Sequence, residues 1–176
     1  CDEIFFGGAR GGGKTDACLG KAVTKALKYK GKFNGVFFRQ EVPMLDDAIE
    51  RSKEIYNLMG ASYNKQKSIW TFPGGSRLRF RPLESVDDAM KYQGQNITDI
   101  YVEEAGTFPS PEPIDRLRGA LRSAHGVPTQ IILTGNPGGP GQGWIKERYI
   151  DPAPQGYAVF KKQYLTERRY TWVFIP

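Results

Sequence analysis

The chain has 176 residues, 39% hydrophobic, 12% aromatic and 25% charged, which is the usage of one globular domain with its own core and excludes a disordered or collagen-like chain. Its 25 basic and 19 acidic residues leave a net charge of +6, compatible with a polyanionic partner but by itself deciding nothing. No stretch reaches the roughly 20 apolar residues that span a bilayer, and Cys1-Asp2-Glu3 lacks the basic start of a signal peptide, so a soluble intracellular protein with no membrane partner is expected.

Strands and helices alternate along the chain. Ile4-Phe5-Phe6 is a short apolar run stopped by glycines, and from Lys14 to Tyr29 the residues Ala17, Leu19, Ala22, Val23, Ala26 and Leu27 recur at helical spacing until Gly31. Cys18 falls inside this helix, and with only Cys1 besides it there is neither a zinc spacing nor a disulfide framework; Cys18 reads as a packing residue. Val36-Phe37-Phe38 predicts a second strand, and Pro43 to Met59 a second helix with proline in its first turn and Gly60 at its end.

Ser68 to Phe72 and Arg77 to Phe80, joined by Pro73-Gly74-Gly75-Ser76, read as a hairpin. Arg77, Arg79 and Arg81 alternate along it and are expected to share its exposed face. Asp99 to Val102 predicts a strand ending in Glu103-Glu104, and Glu112 to Ala124 a helix. Gln130 to Thr134 predicts a strand ending in Gly135-Asn136-Pro137; a loop from Gly138 to Gly143, a short helix from Trp144 to Tyr149 and a last strand from Tyr157 to Tyr164 complete the pattern. The fold class this implies is α/β, with a mainly parallel sheet, helices on both faces and an added antiparallel hairpin; joined with the glycine loop Gly8 to Thr15 and the pair Glu103-Glu104, the expectation becomes a P-loop NTPase (ASCE type).

The segment Gly8-Ala9-Arg10-Gly11-Gly12-Gly13-Lys14-Thr15 meets the pattern G-x-x-x-x-G-K-[ST] between a strand and a helix, the context the motif requires. A loop that cradles a triphosphate must aim backbone N–H groups inward, and glycine permits the dihedrals and the close approach this demands. Lys14 would place its ammonium on the β- and γ-phosphates and Thr15 its hydroxyl on Mg²⁺. Arg10 inside the loop would meet the γ-phosphate or an acidic neighbour, with a solvated arginine on the loop's outer side as the alternative.

Hydrolysis also needs a carboxylate that anchors metal and a base that orients water. Glu103 and Glu104 follow an apolar strand and so emerge at its carboxyl end, where ligands bind in open α/β sheets. Glu103 is expected to hold Mg²⁺ and Glu104 to polarise the attacking water. Asn136 follows another strand to the same edge, suited to sensing the γ-phosphate; a turn asparagine is its plainer reading.

Several segments in order resemble the large terminase subunits of tailed bacteriophages, the motors that pump DNA into procapsids. They are Gly7 to Thr15, Val36-Phe37-Phe38-Arg39, Asp88 to Gly94, Ile100 to Ala105 and Leu133 to Gly139. The resemblance implies that Gly8 to Thr15 is the Walker A segment with Arg10 as its arginine, that Glu103 and Glu104 are the Walker B pair, and that Thr134-Gly135-Asn136 is the motif coupling hydrolysis to movement. Two departures stand out: the metal-anchoring position, commonly aspartate, is Glu103, and Gln93-Gly94 stands where many members carry an arginine finger. Arg116, Arg118 and Arg122 are candidates for that finger, with a solvated helix face as the alternative.

The resemblance further implies ATP and Mg²⁺ as cofactors, double-stranded DNA as substrate, a homo-oligomeric ring on a portal protein, a small terminase subunit as partner, and the host cell cytoplasm as location. It also implies a motor domain over 1–170, with residues 171–176 starting a linker toward a nuclease domain. Such a motor alone would read adenine weakly and cut no DNA. A helicase- or recombinase-like ATPase of the same fold is the alternative; a scaffold that binds ATP without turnover conflicts with Glu104, and a small-molecule kinase with the lack of arginine in the Gly138 to Gly143 loop. DNA contacts are expected from Arg77, Arg79 and Arg81, from Lys161-Lys162 and from Arg168-Arg169.

Overall fold

The computed structural model of the chain describes residues 1–9, 11–163 and 169–176. Nine strands among these form one sheet in the order β3-β4-β5-β2-β6-β7-β1-β9-β8. The strands β1 (Glu3–Phe6), β2 (Asn34–Arg39), β5 (Arg77–Pro82), β6 (Asp99–Val102), β7 (Gln130–Thr134) and β9 (Arg169–Ile175) run parallel. The strands β3 (Ser62–Asn64), β4 (Ile69–Thr71) and β8 (Val159–Gln163) pair antiparallel at the two borders. No helix of the described residues is long and apolar enough to cross a membrane.

The central strands are buried on both faces, and their apolar runs divide by a period of two. Phe37, Tyr101 and Ile132 join a core under the helices α1 (Lys14–Tyr29) and α2 (Val42–Tyr56). Their neighbours Val36, Phe38, Ile100, Val102, Ile131 and Leu133 join a second core on the other face. That second core is covered by α3 (Val86–Met90), α4 (Glu112–Leu117) and α5 (Gln142–Ile145), the last continuing as one π-helical turn over Lys146–Ile150. Cys18 is buried in α1 as packing, and burial pushes its thiol far above the usual range.

Three expectations are corrected. The helix foreseen from Glu112 to Ala124 ends at Leu117 and tightens into a 3-10 turn over Arg118–Ala120. Leu121 then bridges Ile97, and the Arg122 N–H donates to the Ile97 carbonyl at 3.0 Å, so pairing beside β6 displaces further helix. The arginine stripe of the hairpin is not a free face: β5 lies beside β2, and only Arg77 is exposed. Arg79 is half-buried over the Tyr92 ring and donates to Gln95 at 2.8 Å, with burial lowering its pKa, while Arg81 donates to the Lys67 carbonyl at 2.8 Å.

Third, residues 171–175, expected to start a linker, lie within β9 and register with β1, Trp172 beside Glu3 and Phe174 beside Phe5. Trp172 is fully buried. The run of aromatic and β-branched residues from Tyr170 to Ile175 is itself a strand signal; what it does not announce is the partner, which a parallel strand finds across the whole chain. The short β3 and the α3 helix, capped by a Ser85–Asp88 capping box, were likewise not foreseen. Of the last expected strand, Val159–Gln163 forms β8, and Tyr164 lies outside the described residues, as do Arg168 and the side chains of Lys162 and Arg169.

Candidate functional site

The parallel strands place their carboxyl ends along one edge, and there the phosphate loop connects β1 to α1. Gly8, Gly11 and Gly13 adopt φ of 102°, 76° and 71°, a region that side chains disfavour. Gly13 caps α1, so the helix begins at Lys14 and Thr15 with its free N–H groups facing the loop. The Lys14 ammonium donates to the carbonyls of Gly8 at 3.1 Å and Ala9 at 2.6 Å, folding its stem back across the loop. Arg10 lies outside the described residues.

Arg39 ends β2, Glu103 follows β6 and Thr134 ends β7. The register pairs Phe38 with Val102 and Val102 with Leu133, so these three occupy the next row, on the α1 side of the sheet. Glu103 is 3% exposed. One of its oxygens accepts from the Thr15 hydroxyl; the other accepts from Arg39 Nε at 2.6 Å. The guanidinium also donates to the Met44 carbonyl, tying the start of α2 to the same carboxylate.

By strand alternation Glu104 would turn to the opposite face. It instead adopts φ 56° and ψ 45°, a left-handed conformation uncommon for a residue with a side chain. Its N–H meets the Thr134 hydroxyl at 3.3 Å and its carbonyl accepts from the Thr107 N–H and hydroxyl at 2.9 and 2.8 Å. This bend brings consecutive glutamates onto one cleft. Backbone strain held by surrounding contacts in this way is a recurrent property of functional sites.

The cleft has a volume of about 610 Å³ and is lined by Gly11 to Asp16, Arg39, Glu103, Glu104 and Thr134 to Asn136. Asn136 Oδ1 is buried without a hydrogen-bond partner among the described residues. Asp16, at the rim, is held below the usual carboxylate range by hydrogen bonding to Arg51. The foreseen residues Gly11, Gly12, Gly13, Lys14, Thr15, Glu103, Glu104 and Asn136 are thus brought together, while Gly8 and Ala9 stand behind them as partners of Lys14. Arg39 was missed as a site residue; its signal was a charged side chain closing an apolar strand, as Glu103 does.

The three finger candidates separate. Arg118 is inside, paired with Glu3 and with Asp115 at 3.2 Å; Arg116 is exposed and reaches Glu112 at 3.3 Å; Arg122 is exposed. The helix-face reading therefore fails for Arg118, whose position on the 3-10 turn directs it toward β1.

A glycine loop between the first strand and helix of a parallel sheet, facing acidic residues after a further strand, defines a P-loop NTPase domain. Within that class the chain belongs to the phage terminase large subunit family, whose model matches residues 2–170. None of the curated proteins matches the chain. It is similar in fold to the large terminase of a thermophilic bacteriophage in complex with ADP, with a TM-score of 0.68 and 18% identity over 88% of this chain and 38% of that one. The N-terminal domain of the DNA packaging ATPase from bacteriophage phi29 gives 0.66 and 15% over 99% and 90%. The HK97 bacteriophage large terminase gives 0.63 and 16% over 87% and 34%. The chain thus spans under two-fifths of the thermophilic-phage and HK97 proteins.

Proposed function

We propose that this domain hydrolyses Mg²⁺-ATP to drive double-stranded DNA into a procapsid. The observation that carries the reading is the convergence of Lys14, Thr15, Glu103, Glu104 and Asn136 on one cleft at the carboxyl edge of the sheet. Family membership supports it, as does the fold shared with terminases solved with ADP and ATP-gamma-S.

The residues fit the nucleotide and its metal. A Cβ at Gly12 would stand 3.3 Å from the Ala9 carbonyl, a tight contact that glycine avoids, and the Thr15 hydroxyl and Glu103 carboxylate form an oxygen donor pair of the kind Mg²⁺ takes. These two would hold the ion, which when bound neutralises charge on the phosphate oxygens. The loop N–H groups and Lys14 bind the phosphates. Glu104 accepts the proton of the attacking water, and the side-chain amide of Asn136, whose NH₂ donates, senses the γ-phosphate and relays its loss through Thr134 and Gly135.

Arg39 holds the Glu103 carboxylate in line while α2 is tied to the same contact. A ring on a portal protein, a small terminase subunit and the host cytoplasm belong to the same proposal. The test is ATP turnover with and without duplex DNA. Stimulation by duplex is expected; phosphate transfer to a metabolite, or turnover indifferent to DNA, overturns the reading.

A further inference from the structure

Acidic residues gather at the carboxyl ends of the strands, beside the cations Lys14 and Arg39 of the cleft and the exposed Lys65 and Lys67. At the carboxyl edge lie the cleft, with Asp16, Glu103 and Glu104, and the exposed Glu41, Asp46, Asp47 and Glu112. The opposite, amino edge is basic. The 16-residue helix α1 starts at the phosphate loop and descends to that edge, a run of about 24 Å at 1.5 Å per residue, and its exposed Lys28 is followed by exposed Lys30 and Lys32 before β2 begins.

Arg77 opens β5 in register with Asn34 of β2, and its N–H donates to the Phe33 carbonyl at 3.1 Å. The turn that precedes it packs on the lysine segment: a Cβ at Gly31 would stand 2.8 Å from the Gly74 carbonyl, and one at Gly74 would stand 3.0 Å from Lys30 Cβ. Lys30, Lys32 and Arg77 therefore share one surface. Arg122 extends it, since its N–H is bonded to Ile97 just before β6, the strand next to β2.

Among the described residues no carboxylate lies within 4.0 Å of the charged groups of Lys28, Lys30, Lys32, Arg77 or Arg122. The acids of this edge are already engaged. Asp99 is buried against Lys25 at 2.6 Å, and Asp2 accepts from the Thr171 N–H and hydroxyl at 2.8 Å each. A lysine near a helix end is accounted for by the helix dipole, which covers Lys28 but not Lys30, Lys32 and Arg77 beyond the last turn.

From this surface we infer that the amino edge, at the far end of α1 from the nucleotide cleft, is where the domain grips the phosphate backbone of duplex DNA. Duplex DNA carries one charge per about 1.7 Å of axis. The edges of β5, β2 and β6 span about 10 Å at ordinary strand spacing, a length over which one strand of the duplex carries about three phosphates, and meet it with cations that no carboxylate neutralises. The contact reads no bases, as a motor that moves along any sequence requires. It also puts α1 between the two ligands: Lys14 and Thr15 at its start touch the nucleotide, and Lys28 at its end touches DNA.

This inference rests on the DNA-motor reading and is tested apart from it. Binding of a mixed-sequence duplex to the full chain is measured across a salt series for wild type, for Lys28→Gln/Lys30→Gln/Lys32→Gln, for Arg77→Gln, and for the charge-matched Lys53→Gln/Lys91→Gln/Arg116→Gln, whose cations already face carboxylates. Each lost phosphate contact removes about 0.9 from the slope of log K against log salt, so the edge triple should lose about 2 to 3 and bind at least about tenfold more weakly at low salt. Arg77→Gln should lose about 1, and the matched triple little. ATP-gamma-S affinity, measured on the same samples, should stay at the wild-type value in every variant.

A duplex slope in the edge triple equal to wild type, or to that of the matched triple, overturns the inference and leaves the motor reading standing. Wild type that turns over ATP but binds no duplex overturns both. Edge variants that lose ATP-gamma-S affinity together with DNA affinity overturn it as well, since the effect would then be global.

Discussion

Replacing Arg39 with alanine would leave the Glu103 carboxylate at 3% exposure with the Thr15 hydroxyl as its remaining partner. Removing one member of a buried ion pair costs about 3 to 5 kcal/mol, but this pair borders the open cleft and Arg39 itself is 12% exposed, so about 2 to 3 kcal/mol is the expected loss. For a domain of this size each kcal/mol moves the melting midpoint by about 2 to 4 °C, so the variant should melt about 5 to 10 °C below wild type. The deficit is chiefly an uncompensated charge. Two companion measurements should therefore shrink it: addition of Mg²⁺ with nucleotide, which supplies a counter-charge to Glu103, and the double variant Arg39→Met/Glu103→Gln, which removes both charges. Thermal unfolding of the three proteins with and without Mg²⁺-ADP is the assay. A midpoint for Arg39→Ala within a degree of wild type, or a deficit that neither neutralisation nor metal reduces, would refute the view that Arg39 balances this carboxylate.

Glu104→Gln keeps the shape of the cleft but not a proton acceptor, so Mg²⁺-ATP affinity should persist while turnover falls about a hundredfold or more; near-normal hydrolysis removes Glu104 from the role of base. Lys14→Ala should weaken triphosphate binding about ten- to a hundredfold, the range for a lost charge-assisted contact, and an unchanged titration would contradict that role. Trp172→Ala should destabilise the domain by about 3 to 5 kcal/mol, because this side chain packs at full burial among Tyr149, Phe160 and the Arg118 guanidinium. Melting within a few degrees of wild type would mean that β9 is dispensable to the sheet.

What could be read from the chain were the features whose physics is local. Glycines at Gly8, Gly11 and Gly13 announce a loop with positive φ, and the helical spacing from Ala17 to Leu27 announces α1, which the structure starts and ends at Lys14 and Tyr29 as foreseen. The apolar runs before Glu103 and before Gly135 are β6 and β7 with the bounds foreseen, because the middle of a strand buried on both faces is an unbroken apolar run. Chain order was enough to bring Glu103, Glu104 and Asn136 to one edge, but the left-handed bend that turns Glu104 onto the same cleft was not legible.

Only the tertiary structure decided which charges are free and which are spent. Arg79, Arg116, Arg118 and Arg122 are the same residue type in similar surroundings of sequence. Yet Arg79 lies over Tyr92, Arg118 is paired with Glu3 across the whole domain, Arg116 meets Glu112 and Arg122 reaches the amino edge. Apart from Arg116, whose partner lies one helical turn away, their fates depend on which distant segment packs over them, and that is settled by sheet order, not by neighbours in the chain. The same holds for Arg39, whose value to the cleft comes from β2 lying beside β6, and for β9, whose place beside β1 is a pairing across more than 160 residues. Long-range parallel pairing leaves no mark within a few residues of either partner, which is why the phosphate loop was legible from its own eight residues and the surroundings that complete it were not.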